Sequence, residues 1–175
     1  MNNLSFPIGE FTAPSVIDQS QIDQWIKEIA ELPELMESAV RDLTEGQLDT
    51  PYRPDGWTVR QVVHHVPDSH IGSYCRFHWA LTEDNPIIKA YDEKAFANLP
   101  YHNELPIEIS LSLLKALHAR WVVLLRNMTK EDLEKTFLHP ETKAVNVLKE
   151  VIGMYAWHGK HHLEHILALK RRMNW

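Results

Sequence analysis

Apolar residues recur at three- and four-residue steps in four segments of this 175-residue chain. That spacing puts them on one face of an α-helix, so each segment is predicted to form an amphipathic helix. Convincing strand alternation is found nowhere in the sequence. The segments begin near Ser20, Thr58, Leu111 and Asn146. We therefore expect an all-α protein, a four-helix bundle, with residues 1–175 in a single domain.

Three local signals refine the first two helices. Thr58 and Gln61 have the spacing of a capping box, which predicts a helix start at this point. Pro33 should kink or split the first helix. Pro67 removes a backbone donor and clashes with the carbonyl of Val63, so we expect a visible break in the second helix.

The stretch from Pro86 to Pro106 lacks helical periodicity and mixes apolar side chains with charged ones. Loops of this length in compact domains are usually functional. The sequence therefore directs attention to this connection as a candidate part of a binding site.

Composition argues against several classes of protein. The net charge of −6 is spread along the chain, and no basic run is longer than Lys170-Arg171-Arg172, which argues against nucleic-acid binding. No apolar stretch approaches the ~20 residues that cross a bilayer, so we expect no membrane partner. Cys75 is the only cysteine, which excludes an internal disulfide and favours a reducing compartment. We expect a cytoplasmic protein.

Histidine is the one unusual component, with 11 in the chain. His158 and His162 lie one helical turn apart on one face, so both rings can reach a single cation, and His161 and His165 form a second such pair. A third ligand must come from elsewhere. The donor we expect is an upstream cluster on the second predicted helix, which contains His64, His65 and His70.

The residues alone leave the ligand set open, because histidines in helices are often simply exposed or hydrogen-bonded. His158 and His162 continue an apolar line, and a buried imidazole needs a hydrogen bond or a cation. An ideal helix places His70 near the centre of the apolar stripe and His65 to one side, although Pro67 complicates that projection. Asp68 is a candidate for a carboxylate that orients a histidine, or an ordinary solvated aspartate.

Several motifs together resemble the YfiT branch of the DinB superfamily, and the match covers nearly the whole chain. A Gly-Trp-Thr sequence precedes the His-His helix, and a late helix carries Trp-His and His-His pairs. The matching segments are Pro7-Ile8-Gly9-Glu10, Leu48-Asp49-Thr50-Pro51-Tyr52-Arg53, Gly56 to Val66, Asp68-Ser69-His70, Leu81-Thr82-Glu83-Asp84, Tyr91-Asp92-Glu93-Lys94 and Tyr155-Ala156-Trp157-His158.

The resemblance implies a four-helix bundle, a homodimer and a divalent metal ion held by three histidines. The family's ligand positions fall on His65, His158 and His162, and this match takes precedence over the projection that favours His70. The chain departs from the family pattern at Pro67, where a small helix former is expected, and at Asp55, where relatives tend to have glycine.

Three neutral imidazoles leave at least one coordination position open, which is typical of a catalytic site. Zinc is the metal we expect first, with nickel as a second possibility. The family is described as metal-dependent hydrolases or as transferases that join a low-molecular-weight thiol, bacillithiol in particular, to an electrophile.

We favour the transferase, with a small thiol and an electrophile as partners, because the sequence identifies no catalytic base at fixed spacing from the ligands. Glu164 should point away from the metal, and Cys75 lacks the neighbours of a reactive thiol. A hydrolase that uses metal-bound water is the alternative, and a metal-binding stress protein without turnover is the third hypothesis.

Overall fold

The computed structural model describes residues 4–175, and most of this range is helical. Within this range, four long helices form the bundle, and three short ones lie in the connections. In chain order the helices are α1 (Gln19–Val40), α2 (Glu45–Leu48), α3 (Val59–Thr82), α4 (Glu93–Ala97), α5 (Ile107–Arg126), α6 (Lys130–Leu133) and α7 (Leu148–Met173).

The four long helices do not pack in chain order around the bundle. α1 packs against α5 and α7, and α3 packs against the same two helices. Consecutive long helices α1 and α3 are therefore diagonal neighbours, as are α5 and α7. This arrangement places α3 directly beside α7, so that the two histidine-rich helices share an interface.

Local signals explain where the helices begin. Thr58 accepts from the backbone of Gln61, and the Gln61 side chain accepts from the backbone of Thr58, which confirms the predicted capping box of α3. The same reciprocal pattern between Thr129 and Asp132 starts α6. Both pairs satisfy backbone donors that a helix start would otherwise leave unpaired.

The predicted break at Pro67 is wrong, because α3 runs without interruption from Val59 to Thr82. Val63, Val66 and Pro67 itself are all buried in the bundle. A proline removes one backbone hydrogen bond, whereas packing holds α3 on both sides of that point. Pro33 does not split α1 either, since this helix is also continuous.

A small sheet lies outside the all-α prediction. Strands β1 (Thr136–Leu138) and β2 (Val145–Val147) pair antiparallel between α6 and α7. With three residues each, they are too short to show an alternating pattern in the sequence. They do not change the architecture, which is a four-helix bundle.

The stretch from Pro86 to Pro106 holds α4 and a 3₁₀ turn at Pro100–Asn103. Gln61 donates from its side chain to the backbone carbonyl of Ala97 at 3.0 Å, which ties this connection to the start of α3. Among the described residues, none of the helices is long and apolar enough to cross a membrane.

Candidate metal centre

The facing surfaces of α3 and α7 bring together the three histidines that the resemblance selects. His65 lies on α3, whereas His158 and His162 lie one turn apart on α7. One ring nitrogen of each lies within 4.8 Å of those of the other two. Rings 93 residues apart in sequence thus form one cluster, with centroid separations of 5.4, 4.7 and 4.5 Å.

The distance between two of these nitrogens fits a metal ion. Nε2 of His65 lies 3.4 Å from Nε2 of His158. Two nitrogens that bind one zinc ion tetrahedrally at about 2.1 Å lie about 3.4 Å from each other. The donor set is also suitable, because imidazole suits zinc, nickel, copper and iron. The cluster therefore fits a divalent cation, and His65, His158 and His162 are the residues that would hold it.

Burial keeps these rings neutral and able to donate a lone pair. It lowers the pKa of His65 to about 4, with a smaller contribution from nearby His161. Burial also holds the pKa values of His158 and His162 well below the usual value. Neutral imidazole is the form that binds metal ions, so the cluster needs no deprotonation near neutral pH.

The second predicted pair, His161 and His165, lies in a different environment. His165 donates from Nε2 to the backbone carbonyl of Ser5 at 3.2 Å and stacks on Tyr52 at 3.9 Å. The ring of His161 stacks on Trp157 at 4.6 Å. His161 and His165 also form a compact group with His162, so this pair is the competing set of ligands.

Two acidic residues singled out in the sequence lie away from the cluster. Asp68 lies 3.7 Å from Nε2 of His102, so the histidine beside it is not one of the three clustered rings. Asp68 therefore faces a histidine, as one of its two interpretations expects, but that histidine is His102 rather than a ring of the cluster. Glu164 forms an ion pair with Arg171, which agrees with the expectation that it points away from the cluster.

His70 is not in the three-histidine group, although its position at the centre of the apolar stripe is confirmed by its complete burial. Its Nε2 lies 3.0 Å from Nδ1 of His158, on the side of that ring away from the cluster. His70 therefore contacts one ring of the cluster, and His65, His158 and His162 stay the predicted ligands.

A cavity of about 410 Å³ opens above the cluster. Its walls include residues that sequence reasoning did not select, because they come from separate connections. Tyr91 and Glu93 belong to the connection before α5, and His139 and Glu141 belong to the β1–β2 hairpin; the remaining wall residues are Trp57, Ser69, Arg76, Trp157 and His161. The expectation that the stretch from Pro86 to Pro106 contributes to a site agrees with the placement of Tyr91 and Glu93.

Aromatic and polar groups shape this cavity. The Trp57 ring lies 4.5 Å from the ring of His65 and 6.1 Å from that of His162. Burial raises the pKa of Tyr91 to about 12, while a hydrogen bond with Ser69 opposes the shift. Tyr91 therefore keeps its proton near neutral pH and offers a hydrogen-bond donor rather than a base.

The sequence profile of the DinB superfamily matches residues 20–166. The chain belongs to this superfamily. Relatives in Bacillus cereus (strain 03BB102) and Bacillus anthracis are 55% identical over all 175 residues and over their own full length, and both carry the name "Putative metal-dependent hydrolase". This superfamily member is therefore similar, along its whole length, to proteins named for metal-dependent chemistry.

Solved structures give the same fold. YfiT from Bacillus subtilis, described as a probable metal-dependent hydrolase with an unusual four-helix bundle topology, is 48% identical, with a TM-score of 0.97 over 99% of both chains. A mycothiol-dependent maleylpyruvate isomerase is 16% identical, with a TM-score of 0.65 over 83% of this chain and 60% of that one. The second likeness shows a shared fold alone.

Proposed function

We propose that this protein is a metal-dependent transferase that conjugates a low-molecular-weight thiol, of the bacillithiol type, to small electrophiles. The observation that carries the proposal is the cluster of three neutral histidines at the base of an open cavity. A divalent cation held there would supply Lewis acidity that deprotonates a bound thiol or water. Three protein ligands leave a position for that small molecule.

The surroundings of the cluster favour the thiol. Among the described residues, no carboxylate is hydrogen-bonded to His65, His158 or His162. Water must lose one proton before it attacks and commonly uses a positioned base to accept it, whereas a thiol bound to a metal ion would be deprotonated outright and would attack as the thiolate. The solved isomerase with a similar fold is described as mycothiol-dependent, which supports thiol chemistry on this scaffold.

Residues of the cavity wall would bind and orient the two substrates. The guanidinium of Arg76 lines the same cavity and would suit a carboxylate on the thiol. The protonated hydroxyl of Tyr91 can donate to an oxygen on either substrate. Trp57 lies against the rings of His65 and His162 and would offer an apolar surface to a bound substrate.

Hydrolysis is the second candidate, and one specific observation favours it. Glu93 and Glu141 both line the cavity, so either carboxylate is a candidate base for a water molecule at the open position. The names of the 55% identical relatives support the same alternative. Replacing Glu93 and Glu141 by glutamine, singly and together, should abolish hydrolysis if either acts as base.

The deciding assay follows a chlorinated dinitroarene with bacillithiol, with cysteine and with no thiol. The sulfur attacks the ring carbon, chloride leaves, and the thiol proton passes to solvent. We expect turnover that needs both thiol and metal, and that survives in the Cys75→Ala variant. Cleavage of an ester or amide that needs metal but no thiol would contradict the transferase proposal and support the hydrolase.

A further inference from the structure

Two fully buried histidines lie behind the candidate metal centre. His70 on α3 and His118 on α5 are 0% and 1% exposed, and neither belongs to the three-histidine cluster. A buried polar ring requires hydrogen-bond partners, and both rings have them. Their partners form a line that runs from the backbone of α1 to His158, with successive nitrogen distances of 2.6, 2.8 and 3.0 Å.

At one end of these hydrogen bonds is the carbonyl of Ile29, which lacks its usual helical donor because of a proline. In a regular helix the carbonyl of Ile29 would accept from the backbone of residue 33, but that residue is Pro33, which has no N–H. Nδ1 of His118 lies 2.6 Å from the Ile29 oxygen instead. A carbonyl can only accept, so Nδ1 of His118 carries the hydrogen.

That fixed end sets the direction of every later hydrogen bond. With its hydrogen on Nδ1, neutral His118 has a lone pair on Nε2, which therefore accepts from Nδ1–H of His70. Nε2 of His70 must then accept from Nδ1–H of His158. The remaining nitrogen of His158, its Nε2, is left with a lone pair directed at the cluster, 3.4 Å from His65.

The surroundings hold the line in its neutral state and in one geometry. Burial lowers the pKa of His118 to about 4, and His70 is 0% exposed, so that its two nitrogens reach only His118 and His158. The rings of His70 and His118 are nearly parallel, with an interplanar angle of 8°. Trp121 meets both of them edge-on, at centroid distances of 5.7 and 6.0 Å.

We propose that His70 and His118 are positioning residues that fix His158 in its Nδ1–H tautomer, with the Ile29 carbonyl as the anchor. His158 is thereby preset to offer Nε2 to the cation before any cation arrives. Metal ligands are commonly oriented by a carboxylate or a backbone carbonyl on their other nitrogen. Here two histidines transmit that role from a carbonyl that lies beyond direct contact with His158. The role of these hydrogen bonds in orienting a metal ligand rests on the proposed function. The positions of the ring hydrogens do not depend on it.

The first experiment is nitrogen-15 NMR of the histidine rings in metal-free protein, with His158 assigned by comparison with a His158→Gln variant. Long-range ring couplings distinguish a protonated Nδ1 from a protonated Nε2. We expect His158, His70 and His118 all to carry hydrogen on Nδ1. Hydrogen on Nε2 of His158 in the wild-type protein would overturn the proposal.

Variants of His70 separate positioning from packing. His70→Gln offers an oxygen to accept from His158 and an amide to donate to His118, whereas His70→Leu fills the site without either. His64→Leu is the matched control, since His64 is equally buried on α3 and contacts Ser110 of α5 outside the line. If His70→Leu does not fold, His118→Gln and His118→Leu form an equivalent pair.

Cobalt(II) titration supplies the second measurement. We expect His70→Leu to weaken cobalt binding by about 10- to 100-fold and to alter its visible absorption, as loss of an orienting partner does. His70→Gln should restore both, and His64→Leu should change neither. Equal cobalt affinity in His70→Leu and wild type would overturn the proposal. Failure of thiol conjugation with the NMR result intact would overturn only the proposed reaction.

Discussion

At the scale of single residues, each of the three clustered histidines contributes one nitrogen, so loss of any one ring leaves only two. His65, His158 and His162 are the predicted set, and His161 with His165 is the competing pair around His162. The choice of His65 could be made only through the family resemblance, because the helical projection favoured His70. The structure gives a physical reason for the different answers: a fully buried ring at the stripe centre can face a hydrogen-bond partner as readily as a cation, and His70 faces His118 and His158.

We predict that one divalent ion binds per chain and that His65→Ala, His158→Ala and His162→Ala each lose it. Elemental analysis of the purified proteins measures the content. His161→Ala is the control, since His161 is buried on the same helix and belongs only to the competing group. If any of the first three variants keeps its full metal content, the replaced histidine is not a ligand. If His161→Ala contains no metal, the ligands are those of the competing group.

The buried His118 predicts how stability depends on pH. Its folded pKa is lowered by burial to about 4 from an ordinary value of 6.5. The unfolded chain therefore binds a proton near pH 6 that the folded chain excludes, so this contribution to stability is fully present above pH 6.5 and is lost as the pH falls towards 4.

Urea unfolding of metal-free protein at a series of pH values between 7.5 and 4.5 tests this expectation. The free energy of unfolding should fall with pH in the wild type and fall less steeply in His118→Gln, which cannot titrate at that position. If the free energy of unfolding has the same pH dependence in both proteins, then His118 does not contribute to that dependence and the prediction is wrong.

At the scale of secondary-structure elements, local signals and long-range contacts differ in how far the sequence reveals them. The start of α3 could be predicted because Thr58 and Gln61 satisfy each other within four residues. The β1–β2 hairpin could not, because its three-residue strands depend on pairing rather than pattern. The bond between His118 and Ile29 joins residues 89 apart, and only the packing of α5 on α1 creates it.

The two helix-interior prolines should respond differently to replacement by alanine. Pro67→Ala restores a backbone N–H that can donate to the carbonyl of Val63. A proline inside a helix lowers the free energy of unfolding by roughly 3 kcal/mol, whereas the loss of two buried methylenes lowers it by about 1.6 kcal/mol. We therefore expect a net gain of roughly 1 kcal/mol, measured as a higher melting temperature. Pro33→Ala is the matched comparison, and its gain should be smaller because the Ile29 carbonyl is already bonded to His118.

A lower melting temperature for Pro67→Ala, or loss of metal from it, would contradict this account. Either result would show that the ring of Pro67 helps to position His65, which lies two residues before it. Metal content of the variant should therefore be measured alongside its stability.

At the scale of the whole molecule, the family resemblance predicts a homodimer. We expect light scattering during size-exclusion chromatography to give about twice the 20.4 kDa of one chain. The metal-free and metal-loaded proteins should behave alike, because the cluster lies between α3 and α7 of one chain rather than at its outer surface. A mass of 20.4 kDa that persists at high protein concentration would contradict the dimer.

The residues around the cavity come from two kinds of structural element, and this difference matters for protein engineering. Its base comes from two long helices, whereas Tyr91, Glu93, His139 and Glu141 reach it from two connections that lie on the bundle. Connections tolerate sequence change far better than packed helices do. Laboratory evolution could therefore diversify the two connections while leaving the histidines undisturbed, and a library built this way should change which compounds react while keeping the same chemistry.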